Sequence, residues 1–172
     1  EGADKIGVDV MRWMFARQNP TDNMLFGYRV ADEVRRRFHL KLWNVYNFFI
    51  SNAIIDKWSK TSEKNESKNV LDKWILSRLN GNIKDITEKG YEVFNTPEVV
   101  GHASIFINNL SLWYLRRSRE RVGISADDQK DKNDFYGTLH FVLTQYSKVL
   151  SPLIPFITEE IYQGLPIKNK TA

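Results

Sequence analysis

The sequence predicts an all-α fold, a helical bundle, on three observations. Apolar residues recur at steps of three and four along most of the chain. Strict apolar–polar alternation, the mark of a half-buried strand, persists nowhere. The strongest start and stop residues fall at the edges of the periodic runs. A chain of 172 residues is long enough for one core burying roughly 70% of its extended surface and too short for two ordinary ones, so residues 1–172 are expected to form a single domain.

Each element follows from its own signals. Asp9 precedes Val10, Trp13 and Met14 and can cap a short helix ending near Gln18-Asn19-Pro20. A longer helix begins near Tyr28 and keeps Val30, Val34, Phe38, Leu42, Val45 and Phe49 on one stripe to about Ala53. Residues 57–69 contain one apolar side chain in thirteen, too little buried area to offset the entropy of ordering them, and read as a flexible loop. Asn69 and Asp72 resemble a capping box for a third helix, with Leu71, Ile75, Leu79, Ile83 and Ile86 inward and an end at Gly90. Gly81 inside that helix costs about 1 kcal/mol relative to alanine. Thr96-Pro97-Glu98 starts a fourth helix, which carries arginines at its far end. After a polar run from Gly123 to Asp134, Phe135, Leu139, Val142, Tyr146 and Val149 mark a fifth, and a short sixth lies between Pro155 and Gly164.

Composition narrows the function classes. Apolar residues at 42% and charged residues at 27% are ordinary for a folded domain. No stretch approaches the ~18 apolar residues of a membrane span, and the N-terminus lacks a signal-peptide pattern. The absence of cysteine excludes disulfides and thiolate metal sites, and His39, His102 and His140 are scattered, so no metal site is expected. A reducing cytoplasm fits this usage.

Net charge is only +4, but it is unevenly placed. Residues 29–41 carry five basic and two acidic side chains, and residues 116–121 carry Arg116, Arg117, Arg119 and Arg121 against Glu120. On an ideal helix Leu110, Tyr114, Arg117 and Arg121 share a stripe that starts apolar and ends cationic, as expected if the helix leaves the core and projects its last turns outward. One explanation is a set of cations favoured by the dipole at a helix C-terminus. The sharper one is a polyanion, because the guanidinium fork fits phosphate and stacks on unpaired bases. Trp113 and Tyr114 are either core residues or stacking platforms; spacing favours the core for Trp113 and leaves Tyr114 open. Arg35, Arg36 and Arg37 fan outward beside Val34 and Phe38, either as a solvated face or as part of the same surface. A helical protein-interaction module is the rival reading. An enzyme could draw only on Thr158, Glu159, Glu160 and His140.

Five segments together resemble one family. Gly7 to Arg12 is similar to the Gly-Ala-Asp-Ala-Leu-Arg segment of class I aminoacyl-tRNA synthetases, and "LWNVYNFF" (42–49) to the Leu-Trp-Asn run of their isoleucyl and valyl branches. "LDKWILSRLN" (71–80), "NNLSLWYLRRSRER" (108–121) and "LSPLIPFITEEIYQGL" (150–165) follow in the family's order, and the Trp-Tyr-x-Arg-Arg-Ser-Arg string favours the isoleucyl branch over a valyl-type relative. The chain departs from the pattern at Val122-Gly123, where the family usually carries Phe-Trp.

The resemblance implies the helical anticodon-binding domain of such an enzyme, with residues 1–8 as the junction to a catalytic domain. It implies the anticodon stem and loop of an isoleucine tRNA as partner, besides the parent's own catalytic domain, with no DNA or membrane. On this reading tRNA contacts come from Arg116, Arg117, Arg119, Arg121, Trp113, Tyr114, Arg35 and Arg36, with Asp9 and Arg12 fixing the junction. The His-Ile-Gly-His and Lys-Met-Ser-Lys-Ser signatures are absent, so ATP, the parent's co-substrate, has no cofactor site here and no catalytic residue is expected.

Overall fold

The computed structural model describes residues 1–59, 67–123 and 126–165, and every regular element among them is helical. α1 (Gly2–Ile6) and α2 (Val8–Ala16) meet at Gly7, whose φ of 89° would strain any side chain. α3 is one long rod, α-helical over Tyr28–Val34, π-helical over Arg35–His39 and α-helical again over Leu40–Ile55. α4 runs over Val70–Ile86 and closes with a π turn at Thr87–Tyr91. α5 starts with Thr96–Asn108, widens to a π stretch over Asn109–Leu115, and ends with Arg116–Ser118 and a 3₁₀ turn at Arg119–Arg121. α6 (Gln129–Leu150) and α7 (Pro155–Gly164) follow.

The periodic residues make the core. Val34, Phe38, Leu42, Val45 and Phe49 of α3 join Ile75, Leu79 and Ile86 of α4, and Phe135, Leu139, Val142 and Tyr146 of α6, in one buried cluster. α4 lies between α5 and α6, and α6 also packs on α3 and α7. Gly90 permits a close approach of α4 to α5, since a Cβ there would collide with the side chain of Val99 on α5.

Several expected ends are corrected. Asp9 does not cap its own helix. It sits buried in the first turn of α2 and accepts from the amides of Ile157 (2.7 Å) and Phe156 (3.4 Å), so it caps α7, whose first amides have no partner inside that helix. Desolvation raises the Asp9 pKa, against these hydrogen bonds and the charge of Arg12. Arg12 grips the same segment, donating to the carbonyls of Leu153 (2.8 Å) and Pro152 (2.7 Å). The Gly7–Arg12 motif and the closing 150–165 motif are therefore two halves of one joint.

Thr96 is the first residue of α5 rather than its cap, and no side chain caps the preceding Asn95 position. Asn69 does cap α4, accepting from Leu71 N at 3.0 Å, but Asp72 turns into the protein instead of completing a box. The polar run from Gly123 is helical from Gln129 onward, because Asp128 accepts from the amides of Lys130 and Asp131. Of the loop expected over 57–69, residues 60–66 lie outside the described residues. Its flanks are fastened rather than flexible: Trp58 packs on Phe49 and Tyr136, with ring centroids 5.7 and 5.5 Å away, and Ser67 Oγ donates to Asp72 at 2.6 Å.

His39 gives the fold a pH dependence. It is 5% exposed against Trp13 and Phe38, with both ring nitrogens unpartnered, and burial pushes its imidazole down to about 4. In the unfolded chain it takes up a proton near 6.5, so acidification below that value favours unfolding until the folded state also protonates. Its contribution is intact above about 6.5 and falls by about 1.4 kcal/mol per pH unit towards pH 4, about 3 kcal/mol in all. Urea unfolding of wild type and His39→Phe at pH 7 and pH 4.5 checks this: the variant is expected to lose less stability over that interval. Equal losses would show that His39 is not held neutral.

Candidate nucleic-acid interface

The arginine string ends α5, and the structure divides it by direction. Arg116, Arg117 and Arg119 are exposed and have no ion-pair partner among the described residues. The Arg117 guanidinium carbon lies 3.9 Å from the ring centroid of Trp113, a cation–π stack. Trp113 is 47% exposed and tilts against Trp74 of α4 at 6.5 Å. Arg78 stands one turn beyond Trp74, also exposed. Trp74, Trp113 and the guanidinium of Arg117 thus meet where α4 crosses α5, with Arg116 and Arg119 exposed nearby along the same helix end.

Arg121 and Tyr114 are turned the other way, which corrects their expected place on the binding surface. Arg121 donates Nη1 and Nη2 to the two Asp72 oxygens at 2.7 and 2.8 Å, and Nε and Nη2 to the two Asp131 oxygens at 2.7 Å each. Tyr114, fully buried, adds its hydroxyl to Asp72 Oδ1 at 2.7 Å, and Asn69 Nδ2 donates to Asp131 at 3.0 Å. Burial alone would lower the Arg121 pKa; the bonds to Asp72 and Asp131 more than reverse this and raise it. The bond from Arg121 holds Asp131 below its usual value, and burial first, then Asp72, pushes Tyr114 well above its own. With four of its five N–H donors held by two carboxylates and its side chain only 10% exposed, this guanidinium has no free fork to offer a phosphate.

The π stretch explains why ideal spacing placed Trp113 in the core and left Tyr114 open. Its i→i+5 bonds widen the turn over Asn109–Leu115, so the side facing the core passes from Leu110 to Tyr114 and Leu115 and then to Ser118, leaving Trp113 outside. Beyond Arg121, Val122 is buried, Gly123 N donates to Asp56, and Gly123 O accepts from the buried Lys132 at 2.9 Å. Lys132 also donates to Asp56 at 3.1 Å, as does the Tyr136 hydroxyl. Val122-Gly123 therefore closes the end of α5 by burial and hydrogen bonds.

The second basic cluster stands apart. Arg35 is occupied: it donates to Asp32 (2.6 Å) and to the carbonyl of Ile6 (2.6 Å), so it holds the end of α1 instead of offering a free fork. Arg37 pairs with Glu33, and Arg36 alone of the three is exposed without an ion-pair partner among the described residues. Lys41 Nζ donates to Asn108 at 2.6 Å and Asp56 accepts from Gly123, so α3 and α5 run side by side in the same direction. Counted from those ties at 1.5 Å per residue, Arg36 lies roughly 20 Å along the bundle from Arg117. The two clusters do not form one patch.

Thr158 Oγ1 donates to backbone carbonyls of its own helix, and His140 packs beside Phe49 and Trp58. Among the described residues no three His, Asp or Glu side chains gather as a metal site, and no helix is long and apolar enough to cross a membrane.

A helical bundle whose bare cationic tip stands beside the exposed indole of Trp113 has the charge and the stacking surface of a nucleic-acid-binding type of module. Residues 72–172 match the anticodon-binding domain of tRNA ligase, and the chain belongs to that family. Its similar relatives are isoleucine–tRNA ligases. The one from Dehalococcoides mccartyi strain CBDB1 is 41% identical over 165 residues, which is 94% of this chain and 16% of that protein. Those of Clostridium tetani strain Massachusetts / E88 and Clostridium novyi strain NT are 40% and 39% identical, with the same coverage. The chain thus spans about one sixth of the length of these relatives.

Proposed function

We propose that this chain grips the anticodon stem and loop of isoleucine tRNA, as one part of a ligase whose ATP-dependent aminoacylation takes place elsewhere. The observation that carries the reading is that Arg116, Arg117 and Arg119 are exposed without carboxylate partners while Arg117 stacks on the exposed Trp113. Such arginines neutralise phosphates, and an exposed indole or guanidinium plane accepts an unstacked base. Arg121, Tyr114 and Arg35 serve by holding the arginine-bearing helix and α1 in place. Arg36 contributes a separate, weaker contact.

At the other end of the bundle, exposed Val8, Leu40 and Phe156 rim a hollow of about 580 Å³ that includes His39 and Trp43. This apolar face suits contact with a further part of a longer ligase chain, fixed by the Asp9–Arg12 joint. A salt titration of the chain against the isoleucine anticodon stem-loop separates the RNA reading from a protein-docking one. Binding through three phosphates is expected to weaken with a log–log slope of about −2 to −3. Affinity that survives high salt would remove the phosphate-gripping role.

A further inference from the structure

Trp113 and Arg117 stand one helical turn apart at the end of α5. The Arg117 guanidinium carbon lies 3.9 Å from the indole centroid, the spacing of two planes in contact. Of the three exposed arginines, Arg117 alone stacks on a ring among the described residues. Trp113 is itself braced: its ring meets Trp74 at a centroid distance of 6.5 Å and a tilt of 56°, and Trp74 packs against the core. Support therefore runs outward from the core to Trp74, then to Trp113, then to Arg117.

Stacking engages the guanidinium through its face. Its N–H groups, which lie in its plane, keep no partner among the described residues. One face of the indole is covered in return, so a base stacking there would first have to displace the cation. A surface arginine loses rotamer freedom when it closes on a phosphate, and that loss opposes binding. Arg117 has given up much of this freedom before RNA arrives, because the indole holds it; Arg116 and Arg119 have no such ring among the described residues. Resting on the RNA-binding reading above, we propose that Trp113 is a positioning residue: it takes no base, and acts by holding the Arg117 guanidinium where a phosphate of the loop is met. A lysine could not replace the arginine without loss, since an ammonium has no plane to stack.

The test is a double-mutant cycle on binding of the isoleucine anticodon stem-loop, with each variant measured at a temperature where its melting curve shows it folded. Trp113→Leu is expected to weaken binding about two- to fivefold, the range of an exposed cation–π contact, and to leave the salt slope at its wild-type value, because the charge remains. Trp113→Phe, which keeps a ring beneath the guanidinium, should recover part of the loss. Added to Arg117→Gln, Trp113→Leu should cost nothing further. In the NMR spectrum of the free protein the Arg117 side-chain protons should be shifted upfield by the indole, and Trp113→Leu should abolish that shift. An equal loss from Trp113→Leu with and without Arg117 would mean that the indole meets the RNA directly, and would overturn the assignment. No loss at all, no recovery in Trp113→Phe, or unshifted Arg117 protons would overturn it too, and each would leave the arginine face standing. If wild type fails to bind the hairpin, or Arg117→Gln binds it as wild type does, the RNA-binding reading falls and this role falls with it.

Discussion

Arg121→Ala is expected to destabilise the protein by about 3–5 kcal/mol, the usual consequence of removing one partner from a buried ion pair. The reason is the company that Arg121 keeps. Asp72 is fully buried and accepts from Arg121, Tyr114 and Ser67. Without the guanidinium its charge stays desolvated, opposed only by two hydroxyl dipoles. With a urea dependence of roughly 2 kcal/mol per molar, the midpoint should fall by about 2 M. Arg117→Ala, four residues away on the outer surface, should stay within about 0.5 kcal/mol of wild type. Asp72→Ala combined with Arg121→Ala should cost clearly less than the sum of the single changes, since each removes the same contact. Equal effects of Arg121→Ala and Arg117→Ala would contradict the inward assignment.

The second large effect is on binding. Reversing Arg116, Arg117 and Arg119 together to glutamate should lower affinity for the anticodon stem-loop by roughly a hundredfold or more at about 0.1 M salt, and flatten the salt slope by about 2 to 3. Stability should fall by only about 1–3 kcal/mol, since none of the three has an ion-pair partner among the described residues to lose, while Arg117 gives up its stack on Trp113 and the new carboxylates meet the negative end of the helix. Arg17→Glu, at an exposed residue at the end of α2, is the control for a single charge reversal away from this face, to be set beside Arg117→Glu alone, and should leave binding nearly intact. A comparable loss from Arg17→Glu would mean that the protein attracts RNA through net charge and not through this face.

Much of this fold was legible in the sequence. The α3 stripe from Val34 to Phe49, the Asn69 cap and the α7 bounds at Pro155 and Gly164 all appear as expected, because each rests on local spacing or capping chemistry. Direction around α5 was not legible past Asn109, because a π stretch breaks the fixed 3.6-residue period on which a stripe is counted. Nor were the partners of Arg121, since Asp72 lies 49 residues away and its place three after Asn69 offered a local use as a cap. One clue was present. An arginine that continues the apolar stripe of Leu110 and Tyr114 needs a buried acid, and an acid among core residues, such as Asp72 beside Leu71 and Ile75, needs a cation. The Asp9 cap on α7 was hidden in the same way, by a separation of 147 and 148 residues.

The most direct test is to set Arg117→Gln beside Arg121→Gln and measure, for each, the salt dependence of anticodon stem-loop binding at a temperature where both are folded. The account predicts that Arg117→Gln flattens the slope by about one while Arg121→Gln lowers stability and leaves the slope at its wild-type value. A flattened slope for Arg121→Gln with no change for Arg117→Gln would show that the phosphate contact comes from the guanidinium placed here in the interior, and the division of the arginine string would be wrong.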